Sequence, residues 1–232
     1  MATALAAWLM RVHVKIMTPD EKFNAVIAGS TVFVMFWAVA YVAPAVKNWS
    51  SEFAVAGSIA SLLVSVGLYR LLGLSIRWCA ERQEWLKSLV LGNLYVQGTW
   101  VGWFRGHNGE MRYMVEYFAQ RLDSLSITGR SFDAAGREHG IWWSHAVSID
   151  TLRGQLIFTY SFEGNDRSSQ LSGIHASLLE RSSQRAAPEG YAGIAQDLND
   201  RIRIAVHAKK VCTTFLEWRV ALERAKNEFA DK

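Results

Sequence analysis

The chain has 232 residues, of which 50% are hydrophobic, and a formal net charge of +4. This length accommodates one ordinary domain and a short membrane segment, and so modest a charge does not require a DNA or RNA polymer as partner. The two cysteines, Cys79 and Cys212, match neither a metal site nor a framework of several disulfides, so we expect free thiols.

Residues 1–22 are predicted to form an N-terminal cytoplasmic segment ahead of two apolar runs. The runs, at residues 23–46 and 53–69, contain no charged side chain. A helix over the first run would span about 36 Å, enough to cross a hydrocarbon core of about 30 Å. We therefore predict a two-helix transmembrane hairpin over residues 23–77. The alternative is a buried helical hairpin in a soluble protein.

Basic residues flank both runs, whereas the segment between them carries Lys47 alone. The flanking residues are Arg11, Lys15, Lys22, Arg70, Arg77, Arg82 and Lys87. By the positive-inside rule, both termini and everything after about residue 77 are predicted to be cytoplasmic.

Small residues recur every four positions in the second run, at Gly57, Ser61 and Ser65. This spacing allows close approach of transmembrane helices. The contact could lie within the hairpin or between protomers.

A helical connector is predicted at residues 78–90, followed by a cytoplasmic β-barrel at residues 91–211. Recurring turn signals define eight strands, at residues 93–104, 110–120, 125–132, 139–149, 155–162, 171–179, 191–195 and 201–209. Eight antiparallel up-and-down strands suit a small closed barrel with room for one ligand. The alternatives are an open sheet against a helix and, for the last segment, the start of the terminal helix. Alternation at Ile202, Ile204 and Val206 favours a strand there.

Residues 212–232 are predicted to form a C-terminal amphipathic helix. Thr214 and Glu217 fit a capping box. The apolar face comprises Phe215, Trp218, Leu222, Ala225 and Phe229. This face could close one barrel end or bind a neighbouring subunit, and packing within the chain is favoured.

The chain contains no pattern that indicates catalysis. Its six histidines are scattered without metal-ligand spacing, and it has no phosphate-binding glycine loop or nucleophile elbow. We expect a non-enzymatic protein without cofactor or metal.

Aromatic residues fall on the predicted strands with basic and amide side chains among them, and they could fill the barrel or bind a ligand. Aromatic faces stack on nucleobases, and guanidinium groups pair with phosphates. The candidate ligand-binding residues are Trp100, Arg130, Trp143, Tyr160, Arg203 and Lys210. Sequence alone does not assign which residues of a strand face inward.

The two hydrophobic runs, the connector and several short motifs resemble the two-transmembrane β-barrel effectors of bacterial cyclic-oligonucleotide-based anti-phage signalling (CBASS). The motifs are Gly98-Thr99-Trp100, Gly129-Arg130, Trp143-Ser144 and the pair Leu156 and Tyr160. The resemblance implies a lipocalin-like barrel that binds a cyclic dinucleotide made by a phage-activated nucleotidyltransferase. It further implies homo-oligomerisation on activation and disruption of the inner membrane, which kills the infected cell. The C-terminal helix has no counterpart in this pattern.

Two other hypotheses use the same barrel. A membrane-tethered carrier or sensor of a hydrophobic ligand, such as a lipid or haem, would have a dry apolar lumen. A membrane-tethered interaction module would have a filled barrel, with its function on the outer strands or the terminal helix.

Overall fold

The structure is a computed structural model. It describes residues 24–25, 27–34, 36, 67, 69–71, 73–75, 77–79, 81–150, 153–165, 170–199 and 202–232. The chain divides into two compact units, Met1–Leu91 and Gly92–Lys232. The described part of the first unit is mostly helical and ends in helix α1 (Glu84–Leu91), within the predicted connector.

Among these described residues, no helix has the length and apolar character needed to cross a membrane. Most of the predicted hairpin, including Gly57, Ser61 and Ser65, lies outside the described residues, as does the segment 1–22. The hairpin, its orientation and its packing therefore stay predictions.

The second unit is a closed barrel of eight strands in chain order, with β8 paired back to β1. The strands are β1 (Gly98–Arg105), β2 (Met111–Gln120), β3 (Leu125–Asp133), β4 (Glu138–Asp150), β5 (Gln155–Gly164), β6 (Gln170–Glu180), β7 (Gly190–Asp197) and β8 (Arg203–Cys212). Neighbouring strands are antiparallel throughout. The structure confirms the predicted closed barrel, not the open sheet that was the alternative. The eighth segment is a strand rather than a helix.

The predicted start of the first strand at Asn93 is wrong, because a turn at Gly92 redirects the chain and β1 begins only at Gly98. Gly92 has a φ of 56° and opens a 3₁₀ turn (Gly92–Leu94), while Gly98 has a φ of 132°. A Cβ at Gly98 would lie 2.0 Å from the carbonyl oxygen of Cys212, so only glycine fits where β1 meets β8. The 3₁₀ turn and the positive φ of Gly98 therefore separate residues 93–97 from β1.

The segment between these glycines closes one end of the barrel. Leu94, Tyr95 and Val96 are buried there. The Gln120 side chain accepts a hydrogen bond from the Val96 N–H at 2.8 Å and donates one to the Leu94 carbonyl at 2.9 Å. Trp100 donates from its indole to the Val96 carbonyl at 2.9 Å. These bonds satisfy buried polar groups that water cannot reach.

Inward-facing aromatic side chains fill the closed end above this segment. The ring of Trp100 lies 4.9 Å from that of Phe118 and 5.8 Å from that of Tyr191, between ring centroids. All three side chains are almost completely buried. The packed half of the barrel thus forms a floor, and the lumen lies towards the opposite end.

Helix α2 (Trp218–Glu228) packs on the outside of the barrel wall, against β1 and β2. Its Ala221, Leu222 and Ala225 form a second core with the outward-facing Val101 and Val115. The helix packs within the chain, as favoured from sequence, but on the wall rather than over a barrel end.

The capping box predicted at Thr214 and Glu217 is wrong. The N-cap is Glu217, which makes no side-chain capping bond, and the Thr214 hydroxyl contacts the Cys212 sulfur instead. Backbone groups of this linker bind β1: the Thr99 hydroxyl donates to the Thr214 carbonyl at 2.7 Å and accepts from the Leu216 N–H at 2.9 Å. Tertiary hydrogen bonds therefore replace the local cap.

Candidate functional site

A cavity of about 310 Å³ occupies the half of the lumen opposite the closed end. Its wall is mostly apolar, with aromatic and aliphatic side chains from seven of the eight strands and the β7–β8 connection. These side chains are Phe104, Met114, Trp142, Phe158, Tyr160, Phe162, Leu171, Ala195, Ile202, Ile204 and Val206. Such a lining suits an apolar occupant.

Glycines on neighbouring strands position three of the aromatic rings. A Cβ at Gly129 would lie 2.2 Å from the Trp142 ring, one at Gly173 would lie 2.3 Å from the Tyr160 ring, and one at Gly140 would lie 2.4 Å from the Phe162 ring. Each ring therefore lies against the backbone of a glycine, and any side chain at that position would displace the ring. Such close approach is a common reason for glycine inside a strand. The glycines set the shape of the cavity wall.

Glu116 lies deep in the cavity and is only 2% exposed. Its carboxyl group accepts hydrogen bonds from the Tyr191 hydroxyl and from the Trp142 side chain. Burial raises the pKa of Glu116 from 4.5 to about 7, and these two bonds offset part of that rise. The pKa of Tyr191 is raised by its own burial and by the adjacent carboxylate.

His175 also lines the cavity and is 3% exposed. Its ring stacks on Phe158 at 4.5 Å and meets Tyr191 edge-on at 5.2 Å, between centroids. Burial lowers the pKa of His175 from 6.5 to about 4, so the ring is neutral at pH 7. Its Nε2 atom is buried and has no hydrogen-bond partner within the described part of the chain, an exception to the rule that buried polar atoms are paired.

Charged groups occur mainly at the mouth of the cavity. Arg112 lies 4.0 Å from Glu110, measured between Nη2 and Oε2. Asp197 and His139 also line this end. Burial, with a smaller contribution from Asp197, raises the pKa of Tyr160 to about 12, so its phenol stays protonated at pH 7.

The structure does not bring the six candidate ligand-binding residues together. Tyr160 lines the cavity, while Trp100 lies in the floor beneath it. Lys210 pairs with Trp100 across strands, and its ammonium lies 4.6 Å from the centre of the Tyr95 ring, at the closed end.

The other three candidates face away from the lumen, since their register partners lie on the outer face. Arg130 pairs with Val115 and Ile141 and forms a 2.7 Å ion pair with Glu138. Arg203 donates to Gln196 at 3.1 Å, and Trp143 pairs with Ser161. The six residues therefore do not form one site.

Sequence reasoning missed Glu116 and His175 as cavity residues. On β8, the alternation of Ile204, Val206 and Ala208 with Arg203 and His207 was the available signal for which side chains face the lumen. Taking the apolar set as inward would have placed Arg203 outside. No equivalent signal exists on β2, where the side chains of both faces are largely buried.

The described part of the chain contains no group of three or more histidine, cysteine, aspartate or glutamate residues that could hold a metal ion. No family model, curated protein or solved structure matches the chain.

Proposed function

We propose that the barrel binds one compact, largely apolar molecule in its lumen. The observation that carries this proposal is the cavity of about 310 Å³ with an aromatic and aliphatic wall. Ligand pockets begin at about 300 Å³, and an eight-stranded barrel has room for one small ligand. An unfilled lumen also argues against an interaction module whose barrel core is packed throughout.

The cavity favours the hydrophobic-ligand hypothesis over cyclic dinucleotide sensing. A cyclic dinucleotide carries two phosphates, which bind best to guanidinium groups. Among the described cavity residues, Arg112 is the one guanidinium, while Arg130 and Arg203 face outward.

The test is a fluorescence titration of the purified full-length chain with N-phenyl-1-naphthylamine, an uncharged apolar probe that emits strongly in dry sites. We expect saturable binding of one probe per chain. Ala195→Phe and Ile204→Phe fill the cavity from two strands and should each weaken probe binding at least tenfold. Ile194→Phe adds the same ring on the outer face of β7, where Ile194 is exposed, and should leave binding unchanged.

Two outcomes would overturn the proposal. One is the absence of saturable binding above a protein-free blank, and the other is equal weakening by Ile194→Phe and the lumen variants. A parallel calorimetric titration with cyclic di-GMP and cyclic di-AMP separates the signalling hypothesis. Binding of either nucleotide that Arg130→Ala abolishes would favour anti-phage sensing instead.

A further inference from the structure

We propose that the ligand carries one cationic amine, which enters the lumen first and is held at the cavity floor by Glu116 and His175. This inference rests on the proposed function and specifies its ligand class. It follows from three features of the inner cavity as the described residues form it: a buried carboxyl group without a cation, an unpaired imidazole nitrogen, and aromatic walls around both.

The carboxyl group of Glu116 is the ionisable acid of the inner cavity, and it has no ion pair among the residues described. Its two hydrogen-bond donors, Tyr191 and Trp142, are neutral. Buried carboxylates are normally paired with a cation, because an isolated buried charge is costly. A ligand ammonium would supply the missing charge and shift Glu116 towards its ionised form.

His175 adds a second acceptor close to the carboxyl group. Tyr191 links the two residues, since it donates to Glu116 and its ring contacts the His175 ring. Neutral imidazole has one nitrogen that accepts a hydrogen bond, and in the tautomer with its proton on Nδ1 the His175 Nε2 atom, which has no partner among the described residues, is that acceptor. An ammonium group has three N–H donors, enough for both acceptors, whereas an alcohol has one donor.

The surrounding rings also favour a cation. Phe158, Tyr160 and Trp142 line the cavity near the two acceptors. Aromatic faces attract a cation, and more strongly when the cation is desolvated. A carboxylate head group would instead meet the charge of Glu116, since Arg112 lies nearer the mouth, beside the β1–β2 turn.

The experiment compares three ligands that differ only in their head group: 1-naphthylmethylamine, 1-naphthylmethanol and 1-naphthoate. Each competes with N-phenyl-1-naphthylamine for the full-length chain at pH 8. We expect the amine to displace the probe at a concentration at least tenfold below that of the alcohol, with the naphthoate weakest. Glu116→Gln should remove this preference, so that the amine and the alcohol displace the probe at similar concentrations.

Glu138→Gln is the matched control, because Glu138 pairs with Arg130 on the outer face, and it should retain the preference for the amine. Equal displacement by amine and alcohol, or stronger displacement by the naphthoate, would overturn the amine inference while leaving the lumen as an apolar site. Failure of the probe itself to bind would overturn the proposed function. Retained amine preference in Glu116→Gln would remove Glu116 from the site.

Discussion

At the scale of single residues, burial shifts the pKa values of Glu116 and His175 in opposite directions. Burial penalises the charged form of each group, so it raises the pKa of Glu116 from 4.5 to about 7 and lowers that of His175 from 6.5 to about 4. Glu116 in the folded chain keeps a proton that the unfolded chain loses above pH 4.5. Its contribution to stability therefore falls as the pH rises from 4.5 to about 7.

His175 has the opposite slope. Between pH 6.5 and about 4 the unfolded chain gains a proton that the folded chain excludes, so stability falls as the pH falls through this window. Each contribution amounts to roughly 3 kcal/mol at 1.36 kcal/mol per pKa unit. Because the windows overlap, the two slopes largely cancel in the unsubstituted chain.

Single substitutions should therefore expose each slope separately. His175→Gln should leave a chain whose free energy of unfolding falls by roughly 3 kcal/mol from pH 4.5 to 7, while Glu116→Gln should give a rise of similar size from pH 4 to 6.5. Urea unfolding at half-unit pH steps measures both profiles. Ile194→Phe, at an exposed position on the outer face of β7, is the control and should keep the parental profile. Parental profiles in both lumen variants would contradict this account.

At the scale of elements, cross-strand contacts between glycines and aromatic rings fix the cavity wall. On β5 and β6, Tyr160 and Gly173 are register partners, and the ring lies over the glycine backbone. The glycines, which have no side chain, therefore shape the wall as much as the aromatic rings do.

Adding one methyl group at Gly173 should deform this wall. Gly173→Ala would place a Cβ 2.3 Å from the Tyr160 ring, so the ring must rotate into the lumen or distort the strand. We expect a loss of about 1–3 kcal/mol in unfolding free energy, together with weaker probe binding. At Gly106 the nearest atoms, at 3.0 Å, belong to the flexible Arg112 side chain, so Gly106→Ala should change stability by less than about 0.5 kcal/mol. Chemical denaturation and probe titration of both variants check this, and equal behaviour would refute it.

The strands could be predicted from sequence far better than their faces could. Turn residues and period-two alternation bounded β2 to β7 to within two residues at each end, and alternation at Ile204 and Val206 correctly favoured a strand for β8. In β1 the alternation is absent, because Trp100 fills the floor while its neighbour Val101 is covered by α2. Burial on both faces removes the contrast from which an inward side is inferred. On β3, by contrast, Leu125 and Ile127 alternate with the exposed Ser126 and Thr128, a pattern that places Arg130 on the outer face.

At the scale of the whole barrel, the wall formed by β1 and β2 separates two distinct environments. Its inner face carries Met114 and Glu116 into the cavity, while its outer face carries Val101 and Val115 into the core beneath α2. Because side chains of the two sets point to opposite sides of one sheet, the stability that α2 provides and the ligand site should be separable by mutation.

Leu222→Ala tests this separation. Leu222 is 4% exposed in the outer core, so its truncation should lower the free energy of unfolding by about 2–5 kcal/mol. Probe affinity should stay within about twofold, because the change leaves the cavity lining intact. Val220→Ala on the exposed side of the same helix should change stability by no more than about 0.5 kcal/mol. Denaturant unfolding and probe titration measure the two quantities. A large loss of affinity in Leu222→Ala at temperatures where the variant is folded would show that α2 shapes the lumen across the wall, and the two faces would then have to be treated as one cooperative unit.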